Sequence, residues 1–78
     1  MHSSLLNLRD LVFGGDLAGI PDAVDQCLYD ILDQYDHFQM IVFTRLLEML
    51  LDTDMSSKAS RTLKIIDLIK FPVKKAMG

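Results

Sequence analysis

Hydrophobic residues recur along this chain at steps of three and four, which is the spacing of one face of an α-helix. The first such face consists of Leu5, Leu8, Leu11 and Val12. Ser3 or Ser4 can cap the start of this helix, because a serine hydroxyl accepts from the unpaired backbone N–H groups there. Gly14 and Gly15 follow the last apolar position and predict the end of the helix.

A second amphipathic segment begins at Pro21. Proline suits the first turn of a helix because its missing N–H would be unpaired there, and Asp22 and Asp25 lie near the positive end of the helix dipole. The apolar face consists of Val24, Cys27, Leu28, Ile31, Leu32 and Tyr35. The pattern predicts a helix with an aspartate-rich outer face.

The stretch QYDHFQM interrupts the apolar pattern at residues 34–40. Asp36 followed by Gln39 fits a capping box, and Tyr35 and Met40 occupy the positions of a hydrophobic staple. We therefore predict a break at Tyr35–Asp36 and a third helix from about His37 to Leu51. One continuous helix over residues 21–51 is the alternative, because no glycine or proline enforces the break.

The third helix is apolar on most of its sides. Its broad apolar face consists of Phe38, Ile41, Val42, Leu46, Met49 and Leu50, which predicts the most buried element of the fold. The turn-rich segment DTDMSSK precedes a fourth helix that opens at Ser56 or Ser57 and ends before Pro72. The core positions of that helix are Ala59, Leu63, Ile66 and Ile69 or Lys70.

The predicted fold class is all-α, a small bundle of about four helices in a single domain over residues 1–78, with a flexible tail at 73–78. A chain of 78 residues buries only a modest core, yet 50% of its residues are hydrophobic. The surplus of apolar surface predicts that the bundle is completed by dimerisation or by a partner.

The expected function is that of a non-enzymatic protein–protein interaction module, a regulatory adaptor that acts as a homodimer or in a mixed complex. Bundle packing needs only apolar anchors at helical spacing, and the third and fourth helices carry more of them than one core requires. The predicted interface residues are Leu46, Met49, Leu50, Ile66 and Ile69. The residues predicted to make a peripheral electrostatic contact are Lys70, Lys74 and Lys75.

Charge is distributed unevenly along the chain, whose net charge is −3. Residues 1–36 hold seven aspartates and only Arg9 as a cation, whereas residues 55–78 hold six lysines and arginines and only Asp67 as an anion. The basic end supports two alternative functions: nucleic-acid binding, or association with a membrane surface, through the C-terminal helix and tail. The acidic body opposes both because it repels polyanions. The residues concerned are Lys58, Arg61, Lys64, Lys70, Lys74 and Lys75.

Residue types that carry out chemistry are sparse. Asp33 and His37 share a helix face, but a metal site needs three or four ligands, so we expect no metal, no cofactor and no catalytic residue. The single cysteine, Cys27, lies on an apolar stripe and is expected to be a small core residue. One cysteine allows no internal disulfide, and we expect a cytoplasmic protein without a transmembrane segment.

Overall fold

A computed structural model of the protein describes residues 1–70. These residues form four α-helices: α1 (Ser3–Gly14), α2 (Ile20–Asp33), α3 (His37–Met49) and α4 (Ser56–Lys70). Two single 3₁₀ turns, Leu17–Gly19 and Leu50–Asp52, lie before α2 and after α3. The prediction of an all-α bundle of about four helices is confirmed. The predicted tail at 73–78 lies outside the described residues.

Helix α1 ends as predicted but does not begin as predicted. Gly15 adopts the left-handed conformation, with φ of 73°, and its N–H donates to the carbonyl of Val12. Glycine suits this position because it has no Cβ to clash. At the other end His2 precedes the helix without a side-chain cap, so the prediction of a serine cap is wrong. Ser4 instead donates its hydroxyl hydrogen to Oδ2 of Asp30 in α2, at 2.5 Å.

The predicted break between α2 and α3 is confirmed, and the continuous helix over residues 21–51 is wrong. Oδ1 of Asp36 accepts a hydrogen bond from the backbone N–H of Gln39 at 3.0 Å, which caps α3. This bond is the main cause that lowers the pKa of Asp36 below its usual value. The side chain of Gln39 turns to the N-terminal segment, where its Oε1 accepts from the backbone N–H of His2 at 2.7 Å.

The helices pack mainly as two pairs of neighbours in the sequence. Helix α1 lies along α2, α3 lies along α4, and α1 also contacts α3. Between the two pairs of helices, Nζ of Lys58 in α4 forms an ion pair with Oδ1 of Asp25 in α2, at 2.6 Å. The buried hydrophobic residues form one core: Leu5, Leu8, Ile20, Ala23, Val24, Cys27, Ile31, Met40, Phe43, Leu46, Leu47, Leu50, Ala59 and Ile66.

None of the helices within residues 1–70 is both long enough and apolar enough to cross a membrane.

Candidate interaction surface

Three of the five residues predicted to form an interface lie in the core of the single chain. Leu46, Leu50 and Ile66 are buried, and Ile69 is half-buried against the same core. Met49 is 46% exposed. A partner that approaches the folded chain reaches Met49 directly, and it reaches the three buried residues only if the bundle opens.

The residues predicted to make an electrostatic contact lie at the end of α4 and beyond it. Lys70 is the last residue of α4, and its side chain lies outside the described part of the structure. Lys74 and Lys75 lie outside the described residues as well. Among the earlier cations of α4, Lys58 pairs with Asp25, whereas Arg61 and Lys64 are exposed.

Several exposed apolar side chains lie along the outer side of α3. Phe38 is 63% exposed, Ile41 is 42% exposed, and Met49 completes the line at the end of the helix. Arg45 and Glu48 are exposed between them, at the spacing that places all five residues on one side of a helix. We call these five residues, Phe38, Ile41, Arg45, Glu48 and Met49, the α3 stripe.

The opposite side of α3 is buried in the core. Met40, Phe43 and Leu47 have no exposed surface and contact the core between α1, α2 and α4. A nearly all-round apolar helix therefore buries one side and leaves the other in solvent. Such an exposed apolar line is typical of a surface that another protein covers.

Other exposed apolar side chains lie on α1, α2 and α4. Tyr29 and Leu32 lie on the outer face of α2 together with Asp22, Asp25 and Asp33. Phe13 and Leu68 are exposed on α1 and α4, away from α3 in the sequence. Single exposed apolar residues are ordinary on protein surfaces, so these positions indicate no interface by themselves.

A second surface feature lies where α4 passes the 3₁₀ turn Leu50–Asp52. An open recess of about 480 Å³ is lined by Leu51, Ser56, Ser57, Ser60, Arg61 and Lys64. All of its titratable lining residues are cationic, in contrast to the acidic outer face of α2. The basic residues of this recess belong to the set that the sequence associated with polyanion binding.

His37 and Cys27, the residues considered for chemistry, lie in different surroundings. Within residues 1–70 no three His, Cys, Asp or Glu side chains converge in a way that could hold a metal ion. Nδ1 of His37 lies 3.0 Å from the hydroxyl of Tyr35, in an exposed contact at the start of α3. Cys27 is buried as predicted, and burial is the main cause that raises the pKa of its thiol to about 11.

We expect the thiol of Cys27 to be protected from reagents in the folded protein. Burial keeps it away from solvent, and a pKa of about 11 leaves almost no thiolate, which is the reactive form. Ellman's reagent at about pH 8, half a unit below the usual thiol pKa, should modify the native protein far more slowly than the urea-unfolded protein. Equal rates in the two states would contradict this placement of Cys27.

Comparisons of the chain with protein-family models, with curated proteins and with solved structures find no match.

Proposed function

We propose that this protein is a non-enzymatic protein-interaction module that acts as a homodimer, with the α3 stripe of one copy packed against the α3 stripe of a second copy. The observation that supports this function is the exposure of Phe38, Ile41 and Met49 on a helix whose other side is buried in the core. Covering these side chains removes apolar surface from water, which is the main favourable term in most protein associations.

The charges of the stripe favour a second copy over an unrelated partner. A twofold axis sets two helices antiparallel and exchanges residues that lie at equal distances from its centre. Arg45 and Glu48 lie at equal distances from the point between Leu46 and Leu47. An axis at that point places Arg45 of each copy opposite Glu48 of the other, so that one stripe provides both halves of two ion pairs.

The same register brings apolar side chains together. Ile41 of one copy then lies within one helical turn of the second copy's Met49, and Phe38 lies about one turn further out at each end. Exposed ion pairs contribute only about 0–1 kcal/mol each, so the apolar contacts supply most of the affinity and the ion pairs set the orientation.

The outer face of α2 is a poor surface for self-association. It carries Tyr29 and Leu32, but Asp22, Asp25 and Asp33 share that face. A twofold contact through α2 would bring these carboxylates close to their copies, and like charges that face each other are destabilising. In the proposed dimer this acidic face stays in solvent, where it can meet a basic partner as an adaptor would.

Sedimentation equilibrium over a range of protein concentrations tests the dimer. We expect the unmodified protein to dimerise, and Ile41→Ser to raise the dissociation constant about tenfold or more. Leu32→Ser is the matched control, because it removes an equally aliphatic exposed side chain from α2. Monomeric unmodified protein throughout the range, or an equal effect of the two variants, would contradict the proposal.

Charge reversal tests the register in the same assay. Arg45→Glu and Glu48→Arg should each weaken the dimer, because each places like charges opposite one another. The double variant Arg45→Glu/Glu48→Arg should recover most of the affinity, since the pairs re-form with reversed sign. A double variant weaker than either single variant would show that these two residues do not face each other.

The expected compartment of this adaptor is the cytoplasm, where a single buried thiol such as that of Cys27 stays reduced.

A further inference from the structure

The recess beside α4 is wide and open to solvent. Its volume of about 480 Å³ falls within the roughly 300–1,000 Å³ that is usual for ligand pockets. Leu51 on the 3₁₀ turn forms one side, and residues from the first three turns of α4 form the other. The recess is therefore larger than a phosphate group alone and leaves room for an organic part.

Two cations of the recess form no ion pair within residues 1–70. Arg61 and Lys64 lie in the second and third turns of α4, three residues apart, and neither has a carboxylate within 4.0 Å in residues 1–70. Lys58 of the same helix differs, because Asp25 neutralises it. Like charges one helical turn apart repel, and an anion held between them would convert this repulsion into attraction.

The remaining polar side chains that line the recess are serines. Ser56, Ser57 and Ser60 line it, and among the described residues their hydroxyls form no hydrogen bond. Thr53 and Thr62 behave differently, because their hydroxyls donate to the carbonyls of Leu50 and Lys58. Guanidinium, ammonium and hydroxyl groups all offer hydrogen-bond donors, and a phosphate offers several acceptor oxygens within a small volume.

We propose that this recess binds the phosphate group of a small phosphorylated molecule. Arg61 and Lys64 hold the phosphate oxygens, the serine hydroxyls complete the donor set, and Leu51, which is 40% exposed, contacts the organic part of the ligand.

The surrounding charges favour a single phosphate over a nucleic-acid backbone. Asp52 and Asp54 are exposed in the segment that leads from the 3₁₀ turn into α4. A polynucleotide that filled the recess would carry its neighbouring phosphates past these carboxylates, and its affinity depends on many phosphate contacts. The recess offers two cations, which suits one dianion.

Titration of ¹⁵N-labelled protein with phenyl phosphate, at constant ionic strength, tests the proposal by NMR. We expect saturable shifts of the backbone amides from Ser56 to Lys64. Arg61→Gln should raise the dissociation constant about tenfold, the usual order for loss of a charge-assisted contact. Arg9→Gln removes an exposed cation from α1 and should leave the dissociation constant unchanged. Shifts that fail to saturate, or an equal loss in both variants, would overturn the site.

Three further probes identify the source of the phosphate. Weaker binding of inorganic phosphate than of phenyl phosphate supports a contact between Leu51 and the organic part, whereas equal binding overturns that contact. A short single-stranded oligonucleotide, or vesicles that contain phosphatidylserine, should bind more weakly than phenyl phosphate. Tighter binding of either one, with loss in Arg61→Gln, would overturn a small ligand in favour of a polyanion or a membrane.

The phosphate site and the proposed dimer have separate tests. The recess belongs to α4 and the 3₁₀ turn, whereas the proposed dimer contact is the α3 stripe. We expect Ile41→Ser to retain the phenyl phosphate titration even where it abolishes self-association. Failure of the phosphate titration would in turn leave the sedimentation result unchanged.

Discussion

Replacing Leu50 with aspartate is expected to leave the chain largely unfolded. Leu50 is 2% exposed and packs in the core beside α4. Loss of its packing costs about 2–5 kcal/mol, and burial of an unpaired carboxylate adds several more. A chain of 78 residues has a total stability of roughly 4–12 kcal/mol, so the two costs together are as large as most of that stability. Far-UV circular dichroism and its thermal transition measure the loss.

The neighbouring residue provides the control for this variant. Leu51 is 40% exposed, so Leu51→Asp keeps its carboxylate in water and should retain the helical spectrum and a cooperative transition. The contrast separates burial from any general effect of a charge after α3. A folded Leu50→Asp protein would mean that the 3₁₀ turn packs differently from the arrangement described above.

Phe43→Ala is expected to destabilise the fold by about 3–5 kcal/mol, the usual cost of removing a fully buried phenylalanine. Phe43 has no exposed surface and is among the largest fully buried side chains of the described residues. It lies in α3, which contacts all three other helices, so the cavity would open at the centre of the core. Urea unfolding at a fixed protein concentration measures the change in free energy of unfolding.

Phe13→Ala is the matched control, because Phe13 is 69% exposed near the end of α1. It should change the free energy of unfolding by less than about 0.5 kcal/mol, as surface substitutions usually do. Similar losses in the two variants would contradict the burial of Phe43.

Local signals in the sequence were enough to predict the end of α1 and the start of α3. Gly15 predicted the end of α1 because only glycine enters the left-handed conformation without strain. Asp36 predicted the start of α3 because its carboxylate reaches the N–H three residues later. Both signals depend on atoms within one helical turn, so the local sequence is enough to set these two helix boundaries.

The side of α3 that faces the core could not be predicted in the same way. Apolar residues surround most of this helix, so the period of the pattern is weak and does not favour one side. The prediction placed Phe38 and Ile41 on the same face as Leu46 and Leu50, whereas the structure exposes the first two and buries the last two. The choice depends on the positions of α1, α2 and α4, which are tertiary information.

Polar residues in the core were missed for a related reason. Gln39 is buried because its side chain accepts from the backbone of His2, a contact between residues 37 positions apart. Thr62 is buried with its hydroxyl donating to the carbonyl of Lys58, while Leu63, which hydrophobicity favoured, is only partly buried. Hydrophobicity alone does not predict that a hydrogen bond will satisfy a polar side chain inside the fold.

The sequence predicted that apolar and basic surfaces exist, but it did not predict where they lie. Composition indicated spare apolar surface and a basic end, and the structure contains both an exposed apolar stripe and a cationic recess. The recess depends on the approach of Leu51 to residues of α4 across a turn, and no residue spacing in the sequence reports that approach.

The junction between α2 and α3 has a consequence for how this chain assembles. Gln34, Tyr35 and Asp36 include no glycine or proline, so the backbone permits a straight helix of about thirty residues, roughly 45 Å long. In that extended form α1 and α2 would point away from α3 and α4 and would complete their core with a second chain, which is domain swapping. The side-chain cap at Asp36 opposes this exchange by favouring a chain that folds back on itself.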